Sequence, residues 1–294
     1  MVSIVLPTYN RPKRLVRSLA SCLAQTYTDL EVIVVDDGSE PPAKDVVDTA
    51  GDPRVRYIRK RNGGLPSALN AGFEQAKGEY LTWTSDDNQH RPEAIETLVN
   101  YLETTRHVDF VYSDYTMVDD RGNCLCAMTV GNPDELLKGN CVGACFLYRR
   151  RVYQQVGDYD TSLECAEDYD YWLRVRRQCV MASLRADLYQ FELHGASLTS
   201  TRETEVFRKV LRVMQKHRDQ GTLPMLFRRR WAENKLSKAH CAATGSRTLA
   251  MSLALEALRY DWTYVRAYRQ LLAYSTPRRV RRVLHAVRAL IASK

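Results

Sequence analysis

The run Glu31-Val32-Ile33-Val34-Val35, closed by Asp36-Asp37-Gly38-Ser39, limits the possible folds of this 294-residue chain more than any other stretch. Its four consecutive β-branched residues leave no polar face, so the segment reads as a strand covered on both sides. Such strands belong to parallel sheets with helices on both faces. The flanking sequence agrees. Val2 to Leu6 reads as a first buried strand, broken by Pro7-Thr8-Tyr9-Asn10-Arg11-Pro12, after which Leu15, Leu19 and Leu23 share a helical stripe. Val55 to Arg59 is a third strand, Asn62-Gly63-Gly64 a tight loop, and Pro66 opens a helix carrying Ala68, Leu69, Gly72 and Phe73. The run from Tyr80 to Ser85 is a further strand; Pro92 opens a helix with Ile95, Leu98, Val99 and Leu102, and Val108 to Ser113 is a strand ending at Asp114. Strand and helix alternate with short connections, which predicts an α/β sandwich with a mostly parallel central sheet.

Acidic residues close several strands, at Asp36-Asp37, Asp86-Asp87 and Asp114, and point to one ligand-binding edge. Two adjacent carboxylates repel each other, and a hard divalent cation with oxygen ligands relieves the repulsion. Mn²⁺ or Mg²⁺ held at Asp86-Asp87-Asn88 can neutralise a diphosphate. The same three residues equally form an Asx-rich turn after a strand, and taken alone they do not choose between the two. No Gly-x-Gly-x-x-Gly follows the first strand and no Gly-x-x-x-x-Gly-Lys-Ser/Thr loop exists, which weakens dinucleotide and P-loop readings.

Charge divides the chain. Residues 1–201 carry 22 Lys and Arg against 29 Asp and Glu, net −7, whereas residues 202–294 carry 21 against 6, net +15. An acidic body with a basic extension suits an anionic partner at the extension, either lipid headgroups or nucleic acid. The eight cysteines form no Cys-x-x-Cys pair, so buried free thiols are expected over a zinc ribbon, with Cys124/Cys126 and Cys141/Cys145 as the metal-binding alternative. No stretch reaches the roughly 20 apolar residues of a membrane span. The N-terminus starts directly with a strand and lacks a basic leader, so a reduced, cytoplasmic protein is expected. From Thr201 the periodicity is helical. Leu249, Leu253, Leu255 and Leu258 share one segment; Trp262, Val265, Tyr268, Leu271 and Leu272 share another. Over 277–294, Val280, Val283, Leu284, Val287, Leu290 and Ile291 oppose a face of arginines. This helix either lies on an anionic inner membrane surface or docks on the catalytic body.

The ordered pieces Val2-Ser3-Ile4-Val5-Leu6-Pro7-Thr8-Tyr9-Asn10-Arg11, Val34-Val35-Asp36-Asp37-Gly38-Ser39, Asn62-Gly63-Gly64, Lys77-Gly78-Glu79-Tyr80 leading to Asp86-Asp87-Asn88, and Glu167-Asp168-Tyr169-Asp170-Tyr171-Trp172 resemble a family 2 glycosyltransferase of the GT-A fold. The Asp-Asp-Asn variant is similar to the spore-coat-polysaccharide type. The resemblance covers roughly residues 2–200 and implies a GT-A catalytic domain over 1–200 with a basic helical region over 201–294. It implies an inverting, metal-dependent enzyme that moves a sugar from a nucleotide-diphospho-sugar, with uridine as the base, to a glycan or lipid-linked acceptor.

Under the resemblance, Pro7 and Tyr9 meet the nucleotide, with the Tyr9 ring as a platform for the base. Asp37 accepts the imide N–H of uracil, Asn62 holds the nucleotide loop, and Asp86 touches the ribose. Asp87 binds the metal, and His194 completes its shell or contacts phosphate. Asp168, beside the substrate-binding Glu167, is the general base. Its position at a helix start favours an anion while burial among aromatics raises its pKa. Each has a plainer alternative: a rim tyrosine, a turn former at Asp37, structural roles for Asn62 and His194, a helix-start charge at Asp168. The Gln-x-x-Arg-Trp signature of processive synthases is absent, since Phe227 stands where Gln would precede Arg230-Trp231; this favours single additions. The competing class is a non-catalytic nucleotide-binding scaffold with a basic tail. A dedicated nucleic-acid binder is not expected from a net-acidic body.

Overall fold

The computed structural model describes residues 1–195, 201–242 and 247–275, so the basic helix expected over 277–294 lies outside the described residues. The chain forms two compact units, Met1–Thr222 and a second from Leu223 onward.

The first unit is built on one sheet. Its strands are β1 (Val2–Thr8), β2 (Leu30–Asp36), β3 (Val55–Arg59), β4 (Tyr80–Trp83), β5 (Gln89–His90), β6 (Phe110–Val118), β7 (Cys124–Met128), β8 (Phe146–Arg149) and β9 (Met181–Glu192). They lie in the order β3-β2-β1-β4-β8-β6-β9-β5, with β7 paired to β6. β1 to β4 are mutually parallel; β8 runs against both β4 and β6, and β9 is parallel to β6. Most of the sheet therefore points one way, with β5, β7 and β8 reversed.

β1 and β2 are buried along their whole length, as their unbroken apolar runs require. Val2, Ile4, Leu6, Val32 and Val34 pack with Leu15 and Leu19 of α1 (Pro12–Leu23) and with Ile95, Leu98 and Leu102 of α4 (Ala94–Thr104). The alternate residues Val5 and Val35 face α3 (Leu65–Gln75) on the other side. Beyond β4 an aromatic core takes over. Trp172 of α6 (Glu167–Gln178) meets Phe110 and Phe146 at centroid distances of 4.9 and 4.7 Å, and Tyr159 stacks on Tyr171 at 4.1 Å. The buried Asp170 carboxylate ties α6 to the end of α7 (Glu203–Lys216) through Lys216 at 2.9 Å and His217 at 2.8 Å.

The second unit contains α8 (Pro224–Ala242), α9 (Arg247–Tyr260) and α10 (Val265–Ser275). The leucine stripes read from the sequence are not its seam. Ala232, Leu236, Ala239, Ala250, Ala254 and Ala257 are buried, while Leu249 and Leu255 are 52% and 50% exposed. Alanines let helix axes approach closely, so small residues make most of the contact, with Leu236 and the Trp231–Tyr260 ring pair beside them. Among the described residues no helix is long and apolar enough to cross a membrane. The seven described cysteines are free. Cys124 and Cys126 are exposed rather than buried, because they lie on β7, which pairs only with β6.

A Cβ built on Gly72 would sit 2.4 Å from Val5 Cγ1 and 3.1 Å from Val35 Cγ2, so α3 lies directly on the parallel strands. We predict that Gly72→Ala overpacks this contact and costs about 1–3 kcal/mol. Urea denaturation checks it, and a midpoint equal to wild type would show that α3 can lift off the sheet without cost.

Candidate active site

The C-terminal ends of β1 and β2 are level, with Thr8 paired to Asp36; β4 ends three residues earlier, at Trp83 opposite Val5, and the chain runs on from there to Asp86. From β1 the chain moves to β2 on one side, whereas β4 lies on the other. This is a switch point, where open α/β sheets form a crevice beyond their strand ends. A cavity of about 260 Å³ occupies it. Pro7, Tyr9, Asp37, Asn62 and Asp86 line it, as expected, and so do Arg11, Glu164 and Arg202.

The acidic pair is bound across this crevice. Thr8 Oγ1 donates to Asp86 Oδ2 at 2.8 Å, joining the ends of β1 and β4. The Arg11 guanidinium bridges both carboxylates, 3.3 Å from Asp86 Oδ1 and 2.9 Å from Asp87 Oδ2. Burial, and then the Asp87 charge, push the Asp86 carboxyl up to about 6, against the pull of Arg11 and Thr8. His194 Nε2 lies 3.0 Å from Asp87 Oδ2 although 107 residues separate them. Asn88 explains the meeting: its Oδ1 accepts from the Glu192 backbone N–H at 2.9 Å, anchoring the end of β9 two residues before His194. Glu192 in turn is held by Arg14 and Arg17. Asn88 is therefore buried and occupied by β9.

Asp36 and Asp37 knit loops. Asp36 accepts from the backbone N–H groups of Ser39 and Ala43 and from the Tyr57 hydroxyl, at 2.8, 2.9 and 2.6 Å. Asp37 accepts from the N–H groups of Gly63 and Gly64 and from Lys60 Nζ, the last two at 2.8 Å. Asn62 Nδ2 donates back to the Asp37 carbonyl at 3.0 Å. Asn10, in the left-handed region at φ 56°, holds the Ser39–Glu40 turn through its N–H and its side-chain oxygen. This leaves the Tyr9 ring 49% exposed in the cavity wall.

Asp168 and Glu167 open α6 and do not line that cavity. Asp168 accepts from Asn140 Nδ2 at 2.8 Å and from the Tyr169 N–H at 2.6 Å, yet burial carries its pKa above the ordinary range. Its charge also acts on the Tyr159 hydroxyl, which accepts from Trp83 Nε1 at 3.0 Å at the end of β4. Glu167 is more deeply buried, and burial followed by the Asp168 charge pushes it up to about 8. Its Oε2 has no hydrogen-bond partner among the described residues, as suits a protonated carboxyl. Glu164 and Arg202 carry no signal in the sequence, and the partners of Arg11 and Asn140 are not legible there, because each acquires its role from a tertiary neighbour.

A cation at Asp87 can be judged from the donor set. Among the described residues no cluster of three or more His, Cys, Asp or Glu side chains forms a cage. Asp87 and His194 offer one oxygen and one nitrogen, and Mg²⁺-type sites of that kind share the ion with substrate phosphates. The residues fit a cation that arrives with a diphosphate.

Sheet order, switch-point crevice and acidic strand ends define a nucleotide-diphospho-sugar type of α/β protein. The model of glycosyl transferase family 2 matches residues 3–157, and the chain belongs to that family. It is 32% identical over 215 residues to an uncharacterized glycosyltransferase of Rickettsia prowazekii, covering 68% of this chain and 66% of that one. To the chondroitin synthase of Escherichia coli it is 28% identical over 211 residues, covering 70% of this chain and 31% of that one. The chain thus spans about two thirds or less of these curated relatives. In fold it is similar to the crystal structure of S. aureus TarS (1–349) in complex with UDP-GlcNAc, at a TM-score of 0.59 and 16% identity, covering 88% of this chain and 81% of that one. The expected GT-A sandwich is present.

The buried pair at the head of α6 gives a pH signature. The folded state lifts Glu167 from 4.5 to about 8, so folding takes up a proton and stability falls as pH rises through that window. We predict that Glu167→Gln removes the decline. The variant should melt near wild type at pH 5 and at least about 4 °C higher at pH 8–9. Parallel melting curves at all pH values would mean that Glu167 is ionised in the fold.

Proposed function

We propose that this chain is an inverting glycosyltransferase that moves a sugar from a UDP-linked donor to a glycan or lipid-linked acceptor. The observation that carries the reading is the switch-point cavity, whose wall joins an exposed aromatic ring, Tyr9, to the buried Asp86 and to Arg11, which also holds Asp87. The family supports transfer, the UDP and UDP-GlcNAc complexes of TarS support the donor class, and the chondroitin synthase relative supports a glycan acceptor. Residues 1–200 carry the chemistry in this reading and residues 201–294 form the basic extension. The site of action is the cytoplasm, with the inner membrane surface as the place where lipid-linked acceptors are met.

Each residue then has a task. The Tyr9 ring stacks on the base, and Pro7 shapes the turn that presents it. Asp37 and Asn62 hold the Asn62–Gly64 loop, and a lone pair left on Asp37 accepts the uracil N–H. Asp86 accepts a ribose hydroxyl. Asp87 and His194 would hold Mn²⁺ or Mg²⁺, which when bound neutralises charge on the departing diphosphate. Asp168 accepts the proton of the acceptor hydroxyl as that oxygen attacks the anomeric carbon. Glu167, protonated at neutral pH, places no second negative charge at the substrate. A single displacement by one base inverts the anomeric centre.

We predict that Asp168→Asn lowers kcat by about 10²–10⁴-fold while UDP still raises the melting temperature as in wild type. Near-normal turnover would remove Asp168 from the role of base. Arg11 already neutralises Asp87, so Mn²⁺ alone should bind weakly, and UDP should tighten it by roughly 5–150-fold. In Arg11→Met, Mn²⁺ should bind without UDP. Electron paramagnetic resonance of free Mn²⁺ reads both, and identical Mn²⁺ affinity in wild type and variant would count against Asp87 as ligand.

A further inference from the structure

The cavity at the switch point has a neighbour. A cleft of about 740 Å³ follows the start of α7, lined by Arg202, Arg208, Lys209 and Arg212 together with Glu203 and Glu205. Arg202 stands in the wall of both cavities, beside Glu164 at 3.4 Å. The basic groups outnumber the acidic ones here, in keeping with the net +15 of residues 202–294.

Their partners differ from those of the other arginines near the site. Arg11, Arg14 and Arg17 are committed to Asp86, Asp87 and Glu192. Lys209 Nζ donates to the Ser162 carbonyl at 2.7 Å. Arg208 and Arg212 are exposed, and no ion-pair partner stands beside them among the described residues. Four residues apart, they share one face of the helix. From Arg202 to Arg212 the track is roughly 15 Å long at 1.5 Å per residue. The exposed guanidinium groups of Arg208 and Arg212 continue a basic track that begins at the donor cavity with the Glu164-paired Arg202, and such a track suits a chain of anions bound remotely from the reacting atoms.

Resting on the transferase reading, we propose that this face of α7 is the acceptor subsite and that it takes a glycan chain bearing anionic groups, phosphate or carboxylate. The guanidinium groups grip anions along the chain while its terminal hydroxyl reaches the cavity. Where such contacts hold the ground state and the transition state equally, their loss raises KM with kcat unchanged.

The test uses the full chain and fluorescently labelled probes at low salt: a glucuronate-containing oligosaccharide, a glycerol-phosphate oligomer, a neutral maltooligosaccharide and a single-stranded RNA. Wild type should bind one or both anionic glycans, and the preferred one names the anion. Affinity should fall with added salt, and the neutral probe should bind at least about tenfold more weakly. The double variant Arg208→Gln/Arg212→Gln should lose about tenfold or more for the anionic glycan with the UDP melting shift unchanged. That unchanged shift also shows that the variant is folded. Equal binding of neutral and anionic glycans, wild-type affinity in the double variant, or preference for RNA over both glycans overturns the subsite. If wild type fails to bind UDP with Mn²⁺, the transferase reading itself falls, and the subsite falls with it.

Discussion

The Asp86–Asp87 pair, buried at the end of β4 and bridged by Arg11, is the interaction on which the rest of this structure turns. Opposite charges about 4 Å apart attract by about 4 kcal/mol at the effective dielectric near a protein surface, and like charges repel equally. Two adjacent carboxylates withdrawn from water are tolerable only if the fold brings them a cation. Arg11 does so from the loop after β1, which requires β1 and β4 to be neighbours. The Thr8–Asp86 hydrogen bond, 2.8 Å, ties the end of β1 to the segment that follows β4. Sheet order and the electrostatics of the site are thus one constraint seen from two sides.

The loops around the pair obey a second rule, that buried polar groups must be paired. The Asp36 carboxylate closes the turn to α2 (Lys44–Ala50) and Asp37 closes the Asn62–Gly64 loop. In the sequence Asp37 reads as a ligand residue or a turn former and Asp36 as a loop residue, and in the fold both carboxylates hold loop backbone. The consequence for function is indirect but strong: with the loops held by carboxylates, Tyr9 can remain exposed at the cavity without support from a ligand.

Much of this was legible in the chain. β1, β2 and β4 announced themselves as apolar runs ended by acids, and the residues that end them do line one cavity. What was not legible follows from how the missing pieces are specified. β5 has two residues and exists only because β9 pairs with it. The antiparallel turn at β8 depends on pairing with β4 and β6, which no local pattern encodes. Arg11 and Asn140 look like loop residues until Asp87 and Asp168 are placed beside them. In the second unit the eye follows leucines, whereas the helices meet through alanines, because the shortest side chains give the closest approach.

The head of α6 shows why environment, not identity, separates two adjacent carboxyls. Both are carried upward by burial, but Asp168 receives hydrogen bonds from Asn140 and from a backbone N–H, and these favour its charged form. The Glu167 Oε2 atom is left without such a donor and lies deeper in the aromatic core. Burial and the Asp168 charge favour the protonated form of Glu167, while the hydrogen bonds at Asp168 favour its charged form. Coupling keeps them apart: each charge on one raises the cost of charging the other. The helix N-terminus then favours the single anion that remains. The charge on Asp168 is expensive to bury, and the same expense favours the neutral form of its neighbour.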